Sequence, residues 1–129
     1  MARVKHFREL DVDITAFEAG MEISEASRRF PIEERYSLSD QIRRSSRAVC
    51  AAISEAWGKR RYPAHFASKL TDSQSEAEET RCWLQFASRC GHLSREIALE
   101  LDDRYDKFIA QLIKMASNAD QWSTTGNRN

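Results

Sequence analysis

An all-α fold, an antiparallel up-down four-helix bundle, is predicted by three observations. Apolar residues recur at spacings of three and four along four successive segments. The helix breakers lie between those segments, and the connections they mark are short, which makes consecutive helices neighbours. Only four Gly and two Pro occur in 129 residues, too few for a turn-rich β fold.

The first segment carries Phe7, Leu10, Ile14, Phe17 and Met21, one apolar stripe at helical spacing. The spacing predicts a helix over 4–29, stopped by Phe30-Pro31 because a residue before proline is pushed out of helical geometry. The second helix is predicted over 38–59. Ser37-x-x-Asp40 has the form of a capping box at its start. Leu38, Ile42, Val49, Ile53 and Ala56 form its stripe, and Gly58 with Lys59-Arg60-Arg61 closes it, positive charge suiting the negative end of the helix dipole.

Pro63 fits the first position of a third helix over 63–90, where its missing N–H costs nothing. Phe66, Leu70, Ser73, Ala77, Thr80, Leu84 and Ala87 make its seam. The small residues in the middle allow a neighbouring helix to approach closely, and Gly91 is the expected left-handed cap. Ser94 is the candidate N-cap of a fourth helix over 95–119, whose stripe is Ile97, Leu101, Tyr105, Phe108, Leu112, Met115 and Trp122. Residues 1–122 therefore form one domain, and 123–129 are expected to be a frayed polar tail.

Composition narrows the function classes. Hydrophobic residues make up 41% and charged residues 31%, a globular balance. The 20 basic and 20 acidic residues cancel, which argues against a strongly basic nucleic-acid coat but leaves room for a local basic patch. Cys50, Cys82 and Cys90 form no Cys-x-x-Cys pair and read as reduced core or interface thiols. Arg3, Lys5, His6 and Arg8 are followed by no apolar run, and no stretch approaches the ~20 apolar residues of a membrane span. A soluble, cytoplasmic protein without membrane attachment is expected.

The order and spacing of several pieces resemble a known family. The run FPIEERYSLSDQIRRSSRAVCAAISEAWGKRRY, followed by SEAEETRCWLQFASRCGHL, resembles the four-helix-bundle proteins encoded in intervening sequences of bacterial 23S ribosomal RNA genes. The resemblance runs from Phe7 to about Trp122 and rests on Phe30-Pro31, Glu34, Leu38, Gln41-Ile42-Arg43-Arg44 and the Glu76/Glu79 pattern. It implies a four-helix protomer that assembles into a homopentamer and has no established enzymatic activity. A related branch serves as the accessory protein of diversity-generating retroelements, in association with a reverse transcriptase and nucleic acid. That branch is strongly basic, whereas this chain is neutral. The stretch Ala51-Ala52-Ile53-Ser54-Glu55-Ala56-Trp57 also departs from the usual family stretch, which carries an Asn and ends in a Gly-containing motif.

Candidate sites divide by chemistry. No Glu has a His three residues later, so the di-iron pattern of helical bundles is missing, and no metal or other cofactor is expected. His6, His65 and His92 read as solvated or capping. Cys82 and Cys90 lie near His92 in sequence without an evident acid to orient the imidazole, so no catalytic residue is assigned. Glu76 and Glu79 are expected to pair with Arg43 or Arg44, across the bundle or across a subunit interface. Trp83, Phe86 and Cys90 lie off the seam of the third helix and read as an association face or as a widened core. Ala51, Ser54 and Gly58 put small residues on the outer face of the second helix, open to a neighbouring subunit.

Arg43, Arg44 and Arg47 on that helix, with Lys59, Arg60 and Arg61 at its end, are the candidate nucleic-acid-binding residues. Two functional classes follow. One is a non-enzymatic homo-oligomeric module that engages RNA or DNA through these residues. The other is a protein-only scaffold or adaptor whose arginines serve subunit contacts.

Overall fold

The structure is a computed structural model, and it describes residues 4–123. Four long helices, α1 (Asp11–Ser27), α2 (Leu38–Gly58), α3 (Pro63–Arg89) and α4 (Arg95–Ser117), are followed by a short α5 (Ala119–Trp122). Two 3-10 turns, Phe7–Glu9 and Ile32–Glu34, precede α1 and α2. The helices contact one another in the cyclic order α1, α2, α3, α4, with α4 returning to α1. Cross-links between α2 and α3 fix their sense: Ser45 meets Thr80, Val49 meets Ser73, and Glu55 meets Lys69. One number rises as the other falls, so the pair is antiparallel.

The seam of α3 is buried throughout, from Phe66 to Ala87. Its small middle lets α2 come close enough for side chains to satisfy each other and the backbone. Ser73 Oγ donates to Val49 O at 2.8 Å, and Thr80 Oγ1 donates to Ser45 Oγ at 2.8 Å. Both pairs are buried, where an unpaired hydroxyl would be costly. The α2 stripe of Leu38, Ile42, Val49, Ile53 and Ala56 lies opposite, buried as its spacing predicts. Leu101, Tyr105, Phe108 and Leu112 of α4 complete the core.

The N-cap of α4 and the C-terminal cap of α3 form as their sequence signals predict, whereas the N-cap of α2 does not. Ser94 Oγ accepts from Ile97 N at 3.2 Å. Gly91 takes φ 78°, and His92 N donates back to Ala87 O at 2.9 Å, closing α3 in the manner of a left-handed cap. Ser37, however, makes no capping bond with its side chain. The orphan amide of Leu38 is taken instead by Glu34 Oε1 at 3.3 Å. The carboxylate reaches it because the 3-10 turn presents Glu34 directly ahead of α2, where negative charge is favourable.

The first helix departs most from its expectation. It begins at Asp11 rather than near Val4, because Leu10 is extended (φ −70°, ψ 130°) and separates α1 from a 3-10 turn capped by His6. Its inward line is Val12, Ala16, Ala19 and Ile23, whereas Ile14, Phe17 and Met21 are 43%, 57% and 57% exposed. Beside this line α1 packs on α2 at ordinary contact distance: a Cβ on Gly20 would stand 3.8 Å from Ser46 O. On α4, Ala98 is buried in place of Ile97, and the helix breaks at Asn118 before α5. Of the expected tail, residues 124–129 lie outside the described residues, and Ser123 is buried. No helix among the described residues is long and apolar enough to cross a membrane.

Candidate functional site

Helix α2 carries both basic clusters that the sequence singles out, at opposite ends. Toward its N-terminus, Arg43, Arg44 and Arg47 line a groove together with Ser24 and Arg28 of the α1 end and Asp40. Arg43 is anchored, its Nε donating to Ser27 Oγ at 2.7 Å. Arg44 is committed to α3, pairing with Glu76 at 3.2 Å and with Glu79. The expected ion pair of Glu76 and Glu79 therefore forms within one chain and involves Arg44, not Arg43. Hydrogen bonding to Glu79 raises the Arg44 pKa, with burial opposing. Burial works against ionised Glu79, but the Trp83 indole N–H and the Arg44 guanidinium together hold its carboxyl below its ordinary value.

The arginine expected from position 44 is thus occupied, while Arg28 joins the groove from a different helix. Sequence spacing along α2 does not show that neighbour. The signal was the Arg28-Arg29 pair before Phe30-Pro31, which places positive charge where α1 ends beside the start of α2.

Lys59, Arg60 and Arg61 lie at the other end of α2. Arg47 and Lys59 are about 18 Å apart along the axis at 1.5 Å per residue, so the two basic clusters are separate. Lys59 is exposed and caps the helix with its backbone N–H on Ala56 O at 2.8 Å. Arg60 is folded over Trp57, its guanidinium carbon 3.6 Å from the ring centroid and its Nε donating to Trp57 O at 3.0 Å. Burial there lowers its pKa. Its cation is stacked on an aromatic face, a favourable arrangement that competes with a phosphate contact.

The outer face of α2 forms the second surface. Ala51 and Ser54, with half-buried Cys50, line a groove whose other wall is Ile14 and Phe17 of α1, whose rim holds Arg8 and Glu18, and beneath which Asp13 is buried, its carboxyl pushed up by desolvation. Burial, with a smaller push from the Asp13 carboxylate, raises the Cys50 thiol to about 12. Gly58 is exposed beyond the end of this groove. On α3, Trp83 packs against the core and donates to Glu79 Oε2 at 3.0 Å, while Phe86 beside it remains 53% exposed. The off-seam aromatics therefore split: Trp83 widens the core, and Phe86 faces outward.

Two further arginines tie helices together within the chain. Arg81 of α3 grips Asp102 of α4 through two bonds of 2.9 and 3.2 Å and also meets Asp106 and Glu78. Arg104 of α4 pairs with Glu22 of α1 at 2.7 Å. A third juxtaposition was invisible to spacing. Glu34, Cys90 and His92 converge at one end of the bundle, with His92 Nε2 and Glu34 Oε2 3.0 Å apart. His92, expected as a solvated or capping residue, thus has an acidic partner that lies far away in sequence.

Four consecutive antiparallel helices in a closed ring of contacts, with charge spent on interhelical pairs, define a four-helix-bundle protein. The chain belongs to the 23S rRNA-intervening sequence protein family, whose sequence profile matches residues 8–114. Among solved structures it is similar to a protein of unknown function from the S23 ribosomal protein family of Bacteroides thetaiotaomicron. The two share 26% identity with a TM-score of 0.74, over 82% of this chain and 95% of that one. No curated protein matches the chain.

Proposed function

We propose that this protein is a non-enzymatic, self-associating helical module, assembled through the apolar groove between α1 and α2. The observation that carries the reading is the outward stripe of Ile14, Phe17 and Met21, of which Ile14 and Phe17 share a groove with the small residues Ala51 and Ser54. Large apolar side chains at helical spacing on an outer face, next to a cleft of matching chemistry, favour association. A pentamer requires this groove to meet a different face of the next subunit, because a contact of the patch with itself stops at a dimer. The family resemblance makes five subunits the expected number.

Light scattering on the purified chain tests this. The expected mass is five times the 14.9 kDa protomer, and Phe17→Asp is expected to dissociate the assembly by placing a carboxylate in an apolar contact. A wild-type monomer at micromolar concentration overturns the reading. Phe86→Asp serves as the comparison, reporting whether the α3 patch contributes.

A second reading, phosphate binding to RNA or DNA, is favoured by one observation. Arg28, Arg43 and Arg47 border the same groove with Asp40 as the acidic residue on its wall. A ring would repeat the groove around its axis, so weak contacts would add through multivalency. A protein-only scaffold is the outcome if this groove binds no nucleic acid. In either case a cytoplasmic site of action is part of the proposal.

A further inference from the structure

We propose that Glu34, Cys90 and His92 form a binding site for a divalent cation of the zinc class. A thiol sulfur, an imidazole nitrogen and a carboxylate oxygen from these residues all lie within 4.8 Å of one another. Tetrahedral zinc holds such donors about 3.3–3.5 Å apart, given bonds of roughly 2.3 Å to sulfur and 2.0 Å to nitrogen or oxygen. The adjustment required is therefore at most about 1.5 Å, within reach of a rotation of the exposed Cys90 side chain.

The donors are held by backbone that the fold already fixes. Glu34 ends a 3-10 turn, and its Oε1 is tied to Leu38 N at 3.3 Å, leaving Oε2 aimed at the His92 ring. Cys90 caps α3, and Gly91, at φ 78°, turns the chain so that His92 N and Leu93 N both donate to Ala87 O at 2.9 and 3.2 Å. The His92 ring also packs on Phe30, centroids 5.7 Å apart. Thus two of the three donors sit on a tight turn and the third on a helix-capping carboxylate.

The donor set selects the ion. Thiolate and imidazole favour zinc and its neighbours over magnesium or calcium, which prefer all-oxygen shells. On binding, the Cys90 thiol releases its proton to solvent and the thiolate and carboxylate together balance the dication. Three protein donors leave one tetrahedral position for a solvent molecule. The ion would join the connection before α2 to the connection before α4, parts of the chain that are 58 residues apart.

The test uses the untagged full chain, freed of metal and kept reduced with a phosphine. Zinc is titrated in competition with a chromophoric chelator, and cobalt(II) is added separately as a spectroscopic probe. The expected result is one ion per protomer, a thiolate-to-cobalt charge-transfer band, and a higher melting temperature with zinc but not with magnesium. Cys90→Ser should abolish the charge-transfer band, while Cys82→Ser should retain it. His92→Gln should weaken zinc binding at least about tenfold, since removing a ligand exceeds the 10–100-fold range typical of outer partners. Circular dichroism checks that each variant keeps its helices. Absence of stoichiometric uptake, a cobalt spectrum without the thiolate band, or wild-type affinity in folded Cys90→Ser and His92→Gln overturns the proposal.

Discussion

Arg44 of α2 and Glu79 of α3 are joined by an ion pair across the bundle face, and the same Glu79 carboxylate accepts the Trp83 indole N–H at 3.0 Å. This relationship converts a residue that reads as a phosphate ligand into an interhelical cross-link. It also fixes the ring of Trp83 against the core rather than leaving it for a partner.

The pair contributes to stability only when Glu79 is ionised. Its folded pKa lies below the ordinary 4.5, so its contribution is present above that value and is lost as pH falls through the folded value. Both side chains are partly exposed, which limits the pair to about 0.2–1 kcal/mol. Arg44→Ala should therefore lower stability by roughly that amount at pH 7 and by less at acid pH. Urea unfolding of wild type, Arg44→Ala, Glu79→Gln and the double variant at both pH values measures the coupling. Equal losses at neutral and acid pH would show that Arg44 acts by packing alone.

The two faces of the bundle should respond very differently to truncation. Leu84 and Leu112 are 1% and 0% exposed, and replacing either with Ala should cost about 2–5 kcal/mol through reduced burial and the cavity left behind. Phe17→Ala, on the outward stripe of α1, should cost the isolated protomer no more than about 0.5 kcal/mol. Thermal unfolding of Phe17→Ala at concentrations where the protein is monomeric separates protomer stability from assembly. A loss near 3 kcal/mol at Phe17 would mean that this side chain is a core residue.

That contrast shows what spacing alone can carry. The seam of α2 is legible because its apolar residues stand opposite polar ones, so one stripe dominates and it is the buried one. The seam of α3 is legible only through its unbroken spacing of four and three, since it includes Ser73 and Thr80 while Phe86 lies outside it. On α1 two stripes compete. Ile14, Phe17 and Met21 outweigh Val12, Ala16, Ala19 and Ile23 in bulk, yet the smaller line is the buried one. Hydrophobic bulk marks a face that avoids water; only packing decides whether the same chain or another one covers it. Glu34 and His92 illustrate a second limit, since their contact depends on how two connections meet at one end of the bundle.

Cysteine reactivity should follow the same burial pattern. Cys50 lies half-buried between α1 and α2 with its thiol raised to about 12, whereas Cys82 and Cys90 are exposed. The thiolate is the reacting form, so in the metal-free protein at pH 8 iodoacetamide should modify Cys82 and Cys90 much faster than Cys50. Peptide mass mapping over time reads this directly. In guanidinium all three should react alike. Fast labelling of Cys50 in the native protein would show that the α1–α2 contact opens readily.

Phosphate binding, if present, should belong to the arginine groove rather than to the cluster at the α2 C-terminus. In the groove, Arg28, Arg43 and Arg47 converge from two helices. At the other end, Arg60 is stacked on Trp57 and bonded to its carbonyl. Releasing that cation to a phosphate would forfeit both interactions. Contacts to phosphates position a nucleic acid without reading bases, so little sequence preference is expected. Fluorescence anisotropy with a labelled single-stranded RNA and a duplex DNA, across a salt series, provides the measurement. Changing Arg28 and Arg47 together to Ala should weaken binding and reduce the salt slope by about 0.7–0.9 for each phosphate no longer neutralised, with oligomer mass unchanged. Changing Lys59, Arg60 and Arg61 to Ala should have the smaller effect. The reverse order would move the binding surface to the α2 C-terminus. Absence of binding at low salt would leave the arginines as structural groups and favour the protein-only scaffold.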